Sequence, residues 1–433
     1  MNRSQSPFNL ELPRGMKDFE ETELAKIELI RQKFLETSKL FGFKFMDPSP
    51  IESIETLEAK SGSAIRDEIY FFKDKSYREI ALRFDFTVGI TRWVVSQKSL
   101  KLPAKISSFG GVFRYDEPQK GRYRFFHQWN IEIFGKPSIE SESEIVEFTA
   151  KMFENLGFKD IILELNNRKL VESYINKVFQ STDQGLILDI FRAVDKIQKK
   201  SKEDILQEYG KKGYSADKLE QILKFSQTKG TPEEIEKTID TTQLDSWNDL
   251  KELWASLNNR GVTNIRINFG VVRGLDYYSG MVFEVFDKNS DLGALAGGGR
   301  YDSLTHALGR DDIGATGVAG GVERMILIMD QQGITDGEKQ PTISVVYVNE
   351  ETQKYAMNLA SKLRQQNIPV DVDLVGKSLS KQMEAASNST YCVIVGPKEL
   401  AEDSILLRNM KDGSENKVHI KNLLADPKTI LKT

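Results

Sequence analysis

From Phe113 to Gly135 the sequence reads FRYDEPQKGRYRFFHQWNIEIFG: two extended runs on either side of DEPQKGR, a loop holding Pro118 and Gly121. This predicts an antiparallel hairpin with a long loop. Residues two apart share one face of a strand, so Arg122, Arg124, Phe126, Gln128, Asn130 and Glu132 fall together. That face is cationic at its loop end, aromatic in the middle, and amide then acidic at its far end. Guanidinium groups suit phosphate, a flat ring suits a stacked base, and an amide with a carboxylate suits a small polar ligand. The order matches the floor of a pocket for a nucleotide beside an amino acid, with Arg114 on the preceding strand near the phosphate end. The other face, Tyr123, Phe125, His127, Trp129, Ile131 and Ile133, is mostly apolar and suits a core. The competing reading is a polar sheet face turned to water.

Three further segments carry chemistry. RGLDYYSGMVFEV sets Arg273 before Gly274 and places Tyr277 and Tyr278 ahead of a strand. Glycine lets backbone approach a ligand closely, and a buried tyrosine hydroxyl needs a partner; a tyrosine packed on the core is the ordinary alternative. ALAGGGRYD has three successive glycines but neither the G-x-x-x-x-G-K-[ST] nor the G-x-G-x-x-G phosphate-loop spacing. GVAGGVERMILIM runs from glycines into an apolar helix with Glu323 and Arg324 near its start, where a solvated arginine is the ordinary alternative.

These segments need elements to hold them. The stretch 20–40 patterns as an amphipathic helix with Leu24, Ile27, Ile30 and Phe34 on one face. Pro48 and Pro50 forbid a helix in the stretch that follows. SYREIALRFDFT and ISSFGGVFRY alternate as strands, and helical pattern returns around 140–156. Residues 168–258, rich in Lys, Glu, Gln and Leu and with a helix start at Thr231-Pro232-Glu233-Glu234, predict a helical insertion. Strand-like and glycine-rich chain resumes at 259–330, and 331–341 has linker composition. From 342 to 433 strands alternate with helices, predicting a small α/β domain with a largely parallel sheet. The expected organisation is thus an α+β domain with an antiparallel sheet in two parts, 1–167 and 259–330, interrupted by the helical insertion and followed by the α/β domain.

Composition sets limits. With 433 residues, 39% hydrophobic and 29% charged, the chain predicts a soluble protein of roughly two to four domains. No apolar run approaches the roughly 20 residues of a membrane span, and MNRSQSPFNLELPRG lacks an apolar signal core, so a cytoplasmic location is expected. The net charge of -4 argues against a dedicated nucleic-acid binder but leaves room for local basic clusters. Three histidines without ligand spacing and one cysteine predict no metal site. Cys392, in YCVIV, reads as a small buried residue. Lys196, Lys199, Lys200, Lys202, Lys211 and Lys212 form a basic run interleaved with acids. Its ordinary reading is a solvated helix face, its functional one a contact to nucleic-acid phosphate.

Taken together these segments resemble class II aminoacyl-tRNA synthetases, and specifically the histidyl-tRNA synthetase family. FGFKFMDPSPIE, with Pro50, is similar to motif 1, FRYDEPQKGRYRFFHQ to motif 2 and GVAGGVERMILIM to motif 3. RGLDYYSG and GGGRYD resemble the two histidine signatures, RGMKDF the N-terminal element, and the C-terminal α/β domain an anticodon-binding domain. The resemblance implies synthesis of histidyl-adenylate from L-histidine and ATP with Mg2+, then transfer to tRNA(His), by a homodimer with no prosthetic group. It implies that Asp85, Thr87, Arg114, Gln128, Glu132, Arg273, Tyr277 and Tyr278 bind histidine. Arg114, Asp116, Arg122, Phe126 and Arg324 would bind ATP, with Phe126 and Arg324 on opposite faces of adenine. Arg273 and Arg114 would act on the α-phosphate, Arg273 where related enzymes rely on a metal ion, and Glu132 and Tyr278 would hold the imidazole.

The match has departures. Phe84 stands where proline is frequent, Asp85 and Asp116 where glutamate is usual, Glu117 where arginine is frequent, and Ser303 where glycine is frequent. Asp116, one methylene shorter, reaches less far toward the adenine amino group. Asn130 replaces a small residue, which narrows the pocket. Two alternatives share the scaffold: a catalytically silent regulatory subunit of histidine biosynthesis, and an RNA-binding or processivity protein. The first would lack the anticodon-binding domain and lose active-site residues; Arg114, Arg273, Glu132 and Tyr278 argue against the second.

Overall fold

The alternation at Ala104–Phe113 and Phe125–Gly135 does form two strands, paired antiparallel with Phe113 opposite Phe125 and Ala104 opposite Phe134. The computed structural model describes residues 10–117, 121–197, 200–273, 278–334 and 342–431. The chain divides into two units, Met1–Thr335 and Asp336–Thr433.

Among the described residues of the first unit the hairpin belongs to a nine-stranded sheet. Its order is Lys44–Phe45, Ala104–Phe113, Phe125–Gly135, Gly314–Gly321, Ala296–Arg300, Met281–Asp287, Ile161–Asn167, Ile265–Asn268, Lys229–Gly230. The pairings are antiparallel except at Lys44–Phe45 with Ala104–Phe113 and at Ile161–Asn167 with Ile265–Asn268. The parallel edge is made by the segment resembling motif 1: Lys44 lies opposite Ile106, and Ser108 Oγ donates to the Met46 carbonyl at 2.7 Å.

One face of the sheet is covered by helices Glu21–Leu40 and Ile139–Asn155. Ile27, Ile30 and Phe34 of the first are buried as their spacing requires, and Phe34 packs on Trp129 with ring centroids 5.9 Å apart. Leu24, expected on the same face, lies in the first turn and stays exposed. The apolar set Trp129, Ile131 and Ile133 enters this core, where each large side chain removed from water contributes roughly 1.5–3 kcal/mol.

The helical stretch contains Arg168–Phe179, Gln184–Lys196, Lys202–Lys211, Ala216–Ser226, Pro232–Glu236 and Trp247–Asn259. The expected start at Thr231 is a capping box with Glu234, with Pro232 in the first turn, although that helix is only five residues long. Trp247–Asn259 packs on Ile139–Asn155: Ser143 Oγ donates to Ser256 Oγ at 2.9 Å, and Arg260, just beyond, pairs with Glu147 at 2.7 Å.

The second unit has a sheet ordered Val370–Val372, Ile343–Tyr347, Tyr391–Val395, Ser404–Asn409, Glu415–His419. Its first three strands are parallel and its last two antiparallel. The sheet is therefore mixed rather than largely parallel, because the Lys411–Ser414 turn closes a hairpin whose second strand, Glu415–His419, is polar and weakly patterned. Helices Glu350–Arg364 and Leu379–Ala385 form where their periodicity places them, and Cys392 is fully buried. No helix among the described residues is long and apolar enough to cross a membrane.

Candidate active site

The polar face of Phe125–Gly135 does not meet water: Gln128, Asn130 and Glu132 are 3%, 0% and 1% exposed. That excludes the solvated-face reading and demands hydrogen-bond partners for each group. They form a connected row. Arg114 Nη2 donates to Gln128 Oε1 at 3.2 Å, and Gln128 Nε2 donates to Asn130 Oδ1 at 2.7 Å. Asn130 Nδ2 donates to Glu132 Oε1 and to Thr87 Oγ1, both at 3.1 Å. Thr87 Oγ1 donates to Glu132 Oε1 at 2.8 Å, and the Tyr301 hydroxyl donates to Glu132 Oε2.

Helix Thr87–Ser96 brings Thr87 to this row. Asp85 Oδ1 accepts from the Val88 backbone N–H at 3.3 Å, satisfying one orphan donor of the first turn. Asp85 and Thr87 are thereby set two residues apart at one helix N-terminus.

At the other end of the row lies a cavity of about 550 Å3 lined by Arg114, Asp116, Arg122, Phe126, Gln128, Arg273, Glu284, Glu323 and Arg324, among others. Arg114 donates through Nε to the Phe84 carbonyl at 3.1 Å, and its guanidinium sits 5.2 Å from the centre of the Phe126 ring. Arg122 Nη1 is 4.0 Å from Asp116 Oδ2. Arg324 lies in the first turn of Val322–Gln332 and donates to the Ala294 carbonyl at 2.9 Å. The helix is pinned to the hairpin by Glu323, whose carboxylate accepts from the His127 backbone N–H at 2.8 Å and lies 2.9 Å from His127 Nδ1. Burial, and after it the guanidinium groups of Arg122 and Arg114, lowers the pKa of Arg324. Converging cations at a partly desolvated cavity are unfavourable until an anion enters, which is the electrostatic form of a phosphate site.

Arg273 reaches the cavity from a left-handed backbone conformation with φ +52, which costs a non-glycine residue about 1–3 kcal/mol and is tolerated where the surroundings enforce it. Its Nη1 is 3.1 Å from Glu284 Oε1, and Nη2 donates to the Tyr278 hydroxyl at 3.4 Å. Burial raises the pKa of Glu284; the Arg273 guanidinium opposes the rise, and Asp195 and Glu164 add to it. Asp195, on helix Gln184–Lys196, lines the same cavity.

The three glycines of GGGRYD belong to a strand. Gly297 and Gly298 are buried, and a Cβ on Gly297 would lie 1.9 Å from Arg273 Nη1. On the adjacent strand a Cβ on Gly317 would lie 1.5 Å from Glu132 Oε2. Glycine thus leaves room for the side chains of Arg273 and Glu132.

Arg124, counted on the pocket face, turns away: its side chain donates to the carbonyls of Asp116 and Arg14 and stacks on Tyr115 at 3.9 Å. The regular strand starts only at Phe125, so two-residue alternation does not extend through Arg124. Tyr277 lies outside the described residues. Tyr301 and Glu284 were missed; the signal for Tyr301 was its place in GGGRYD, and for Glu284 its place in a strand that follows RGLDYYSG. In the basic run, Lys196 and Lys200 pair with Glu208, Lys202 with Glu220 and Lys212 with Asp189, while Lys199 lies outside the described residues.

One sheet face joins an arginine-lined cavity to a buried carboxylate row, a charge pattern suited to anions at one end and hydrogen-bond donors at the other. Known proteins narrow the class. The family model described as histidyl-tRNA synthetase matches residues 15–325, and one described as anticodon binding domain matches 342–426. A histidine–tRNA ligase of Pyrococcus furiosus is 30% identical over 98% of this chain and 100% of its own length. One of Pyrobaculum islandicum is 32% identical over 93% and 94%. The crystal structure of histidyl-tRNA synthetase from a Nostoc species superposes with a TM-score of 0.78 at 23% identity, covering 98% of this chain and 99% of that one. This chain belongs to the histidyl-tRNA synthetase family.

Proposed function

We propose that the protein activates L-histidine with ATP and transfers the histidyl group to the 3′ end of tRNA(His), working as a cytoplasmic homodimer. The observation that carries this reading is the continuity of the site: Arg114, Arg122, Arg273 and Arg324 around one cavity, joined through Gln128 to the buried row ending at Glu132.

In the first step a histidine carboxylate oxygen attacks the α-phosphorus, the bond to the bridging oxygen breaks, and pyrophosphate leaves. The nucleophile is already ionised, so catalysis needs positioning and charge stabilisation rather than a strong base. Arg114 and Arg273 act on the α-phosphate, and fixed guanidinium groups in a shielded site suit that task. Arg122 takes the β- and γ-phosphates, Phe126 and Arg324 hold adenine between them, and Asp116 faces its amino group. Magnesium would enter with the nucleotide phosphates, since Glu284 and Glu323 in the cavity are already engaged by Arg273 and His127.

Glu132 and Tyr278 take the imidazole, with Tyr277 nearby in the sequence. Gln128 and Asp85 take the α-amino and carboxylate end; Thr87, bonded to Glu132 and two residues from Asp85, joins the two ends. An amino acid without ring nitrogens would bring an apolar group against the Glu132 carboxylate in place of a further donor beside Thr87, Asn130 and Tyr301, which is the costly kind of mismatch. In the second step the ribose 3′-hydroxyl of the tRNA attacks the carbonyl carbon of the adenylate, and AMP departs. The segments 1–167 and 259–330 serve as the catalytic domain, 168–258 as its insertion, and 342–433 reads the anticodon. The decisive experiment is charging of tRNA(His) with labelled histidine. Folded protein that binds histidine yet charges no tRNA would support the regulatory-subunit alternative instead.

A further inference from the structure

Asn130 stands where the family often has a small residue, and its two ends are used differently. Oδ1 accepts from Gln128, and Nδ2 donates to both Thr87 and Glu132. The amide orientation is therefore determined, because reversing it would set its oxygen against the Glu132 carboxylate and its NH2 against the Gln128 NH2. Every hydrogen bond of the row then runs one way: Arg114 to Gln128, Gln128 to Asn130, Asn130 to Glu132. Asn130 is fully buried, so water cannot replace these contacts without space being opened. Aligned donors of this kind polarise one another and hold the terminal carboxylate as an acceptor.

We propose that Asn130 is a specificity-determining positioning residue: it fixes the Glu132 carboxylate in one orientation and ties it to the Gln128–Arg114 end. The idea rests on the histidine-activating reading above. Histidine recognition then depends on Asn130 although the side chain does not contact the phosphates. Asn130→Asp keeps the shape but replaces the donor with a second carboxylate beside Glu132. Two adjacent carboxylates share a proton, so the lost donor is restored at low pH and absent at high pH.

The test is histidine-dependent ATP–pyrophosphate exchange by the full-length protein from pH 5.5 to 8.5. For Asn130→Asp the expected result at pH 8 is a histidine KM raised tenfold or more with the ATP KM within twofold of wild type, and partial recovery of kcat/KM for histidine as pH falls. Asn130→Ser, which retains a short donor, should lie between wild type and Asn130→Asp at pH 8 and lack the low-pH recovery; it also carries the test if Asn130→Asp does not fold. A histidine KM within twofold of wild type across the range, or equal increases in the histidine and ATP KM values, overturns the proposal. Absence of exchange in wild type would instead sink the histidine-activating reading.

Discussion

Gly317 lies directly opposite Glu132 on the neighbouring strand, and the Glu132 carboxylate occupies the space that a side chain at Gly317 would take. The same relationship recurs two strands away, where Gly297 is opposite Glu284 and its missing side chain makes room for the Arg273 guanidinium. The glycine-rich strands thus carve the site rather than cradle phosphate. Gly317→Ala should displace the carboxylate and raise the histidine KM at least tenfold while the ATP KM changes little; overpacking of this kind costs about 1–3 kcal/mol. Steady-state exchange kinetics check it, and an unchanged histidine KM would mean the carboxylate is not the recognition element.

Arg273 is set against Glu284 and Tyr278 at the edge of the cavity. Arg273→Ala should slow adenylate formation roughly 100-fold or more, a typical cost for removing one fixed charge-stabilising donor, and leave histidine binding measured by calorimetry largely intact. Arg273→Lys should not restore the rate, because a point charge lacks the planar fork. Exchange near the wild-type rate in Arg273→Ala would show that the role belongs elsewhere.

Glu142 lies in the first turn of Ile139–Asn155, with its carboxylate 2.7 Å from Arg300. Burial outweighs the pull of Arg300, with Asp249 and Asp302 adding to the rise, and pushes its pKa up to about 7 from an ordinary value of 4.5. The folded state therefore binds the proton more tightly than the unfolded one, and its stability falls as pH rises from about 5 to 7. Glu142→Gln should flatten that part of the thermal-midpoint profile, removing a slope worth on the order of 1–3 kcal/mol. A profile of wild-type steepness in Glu142→Gln would assign the pH dependence to other groups.

Four of the six basic-run lysines are held by carboxylates on the same helical segment. Exposed pairs contribute little to stability, about 0–1 kcal/mol, but they cancel the local positive field. Lys200→Glu should alter tRNA charging by less than twofold and leave its salt dependence unchanged. A weaker, less salt-sensitive charging reaction would place RNA at this helix.

Cys392 is buried, and burial pushes its thiol up to about 11. At pH 8 about one thiol in a thousand is then ionised. Iodoacetamide should leave the native protein unmodified over an hour and alkylate it fully in denaturant; rapid native labelling would mean that the strand Tyr391–Val395 opens readily.

The strands and long helices were legible because each buries one periodic face, as with Ile27, Ile30 and Phe34 or Trp129, Ile131 and Ile133. The shared face of Phe126, Gln128, Asn130 and Glu132 followed from the same two-residue parity, with Phe126 and Gln128 lining the cavity and Asn130 and Glu132 buried beyond it. What did not follow was set by the third dimension. Arg124 leaves the parity because the chain bends before Phe125, and its group is captured by backbone carbonyls of the N-terminal segment. Tyr301 reaches Glu132 from two strands away, a contact no spacing encodes. The value of Gly297 and Gly317 lies in what they leave empty, which a sequence shows only as small residues. The polar last strand, Glu415–His419, is defined by its partner Ser404–Asn409 rather than by its own pattern.

For histidine to be activated, the arginine-lined cavity and the Glu132 row must act together on ATP and histidine. Amino-acid-dependent ATP–pyrophosphate exchange measures that joint action before any tRNA is involved. Exchange is expected with histidine and at least 100-fold less with phenylalanine or glutamine, in keeping with the cost of mismatching a buried polar site. Folded protein that binds ATP but exchanges no pyrophosphate with histidine, or exchanges equally well with phenylalanine, would contradict it.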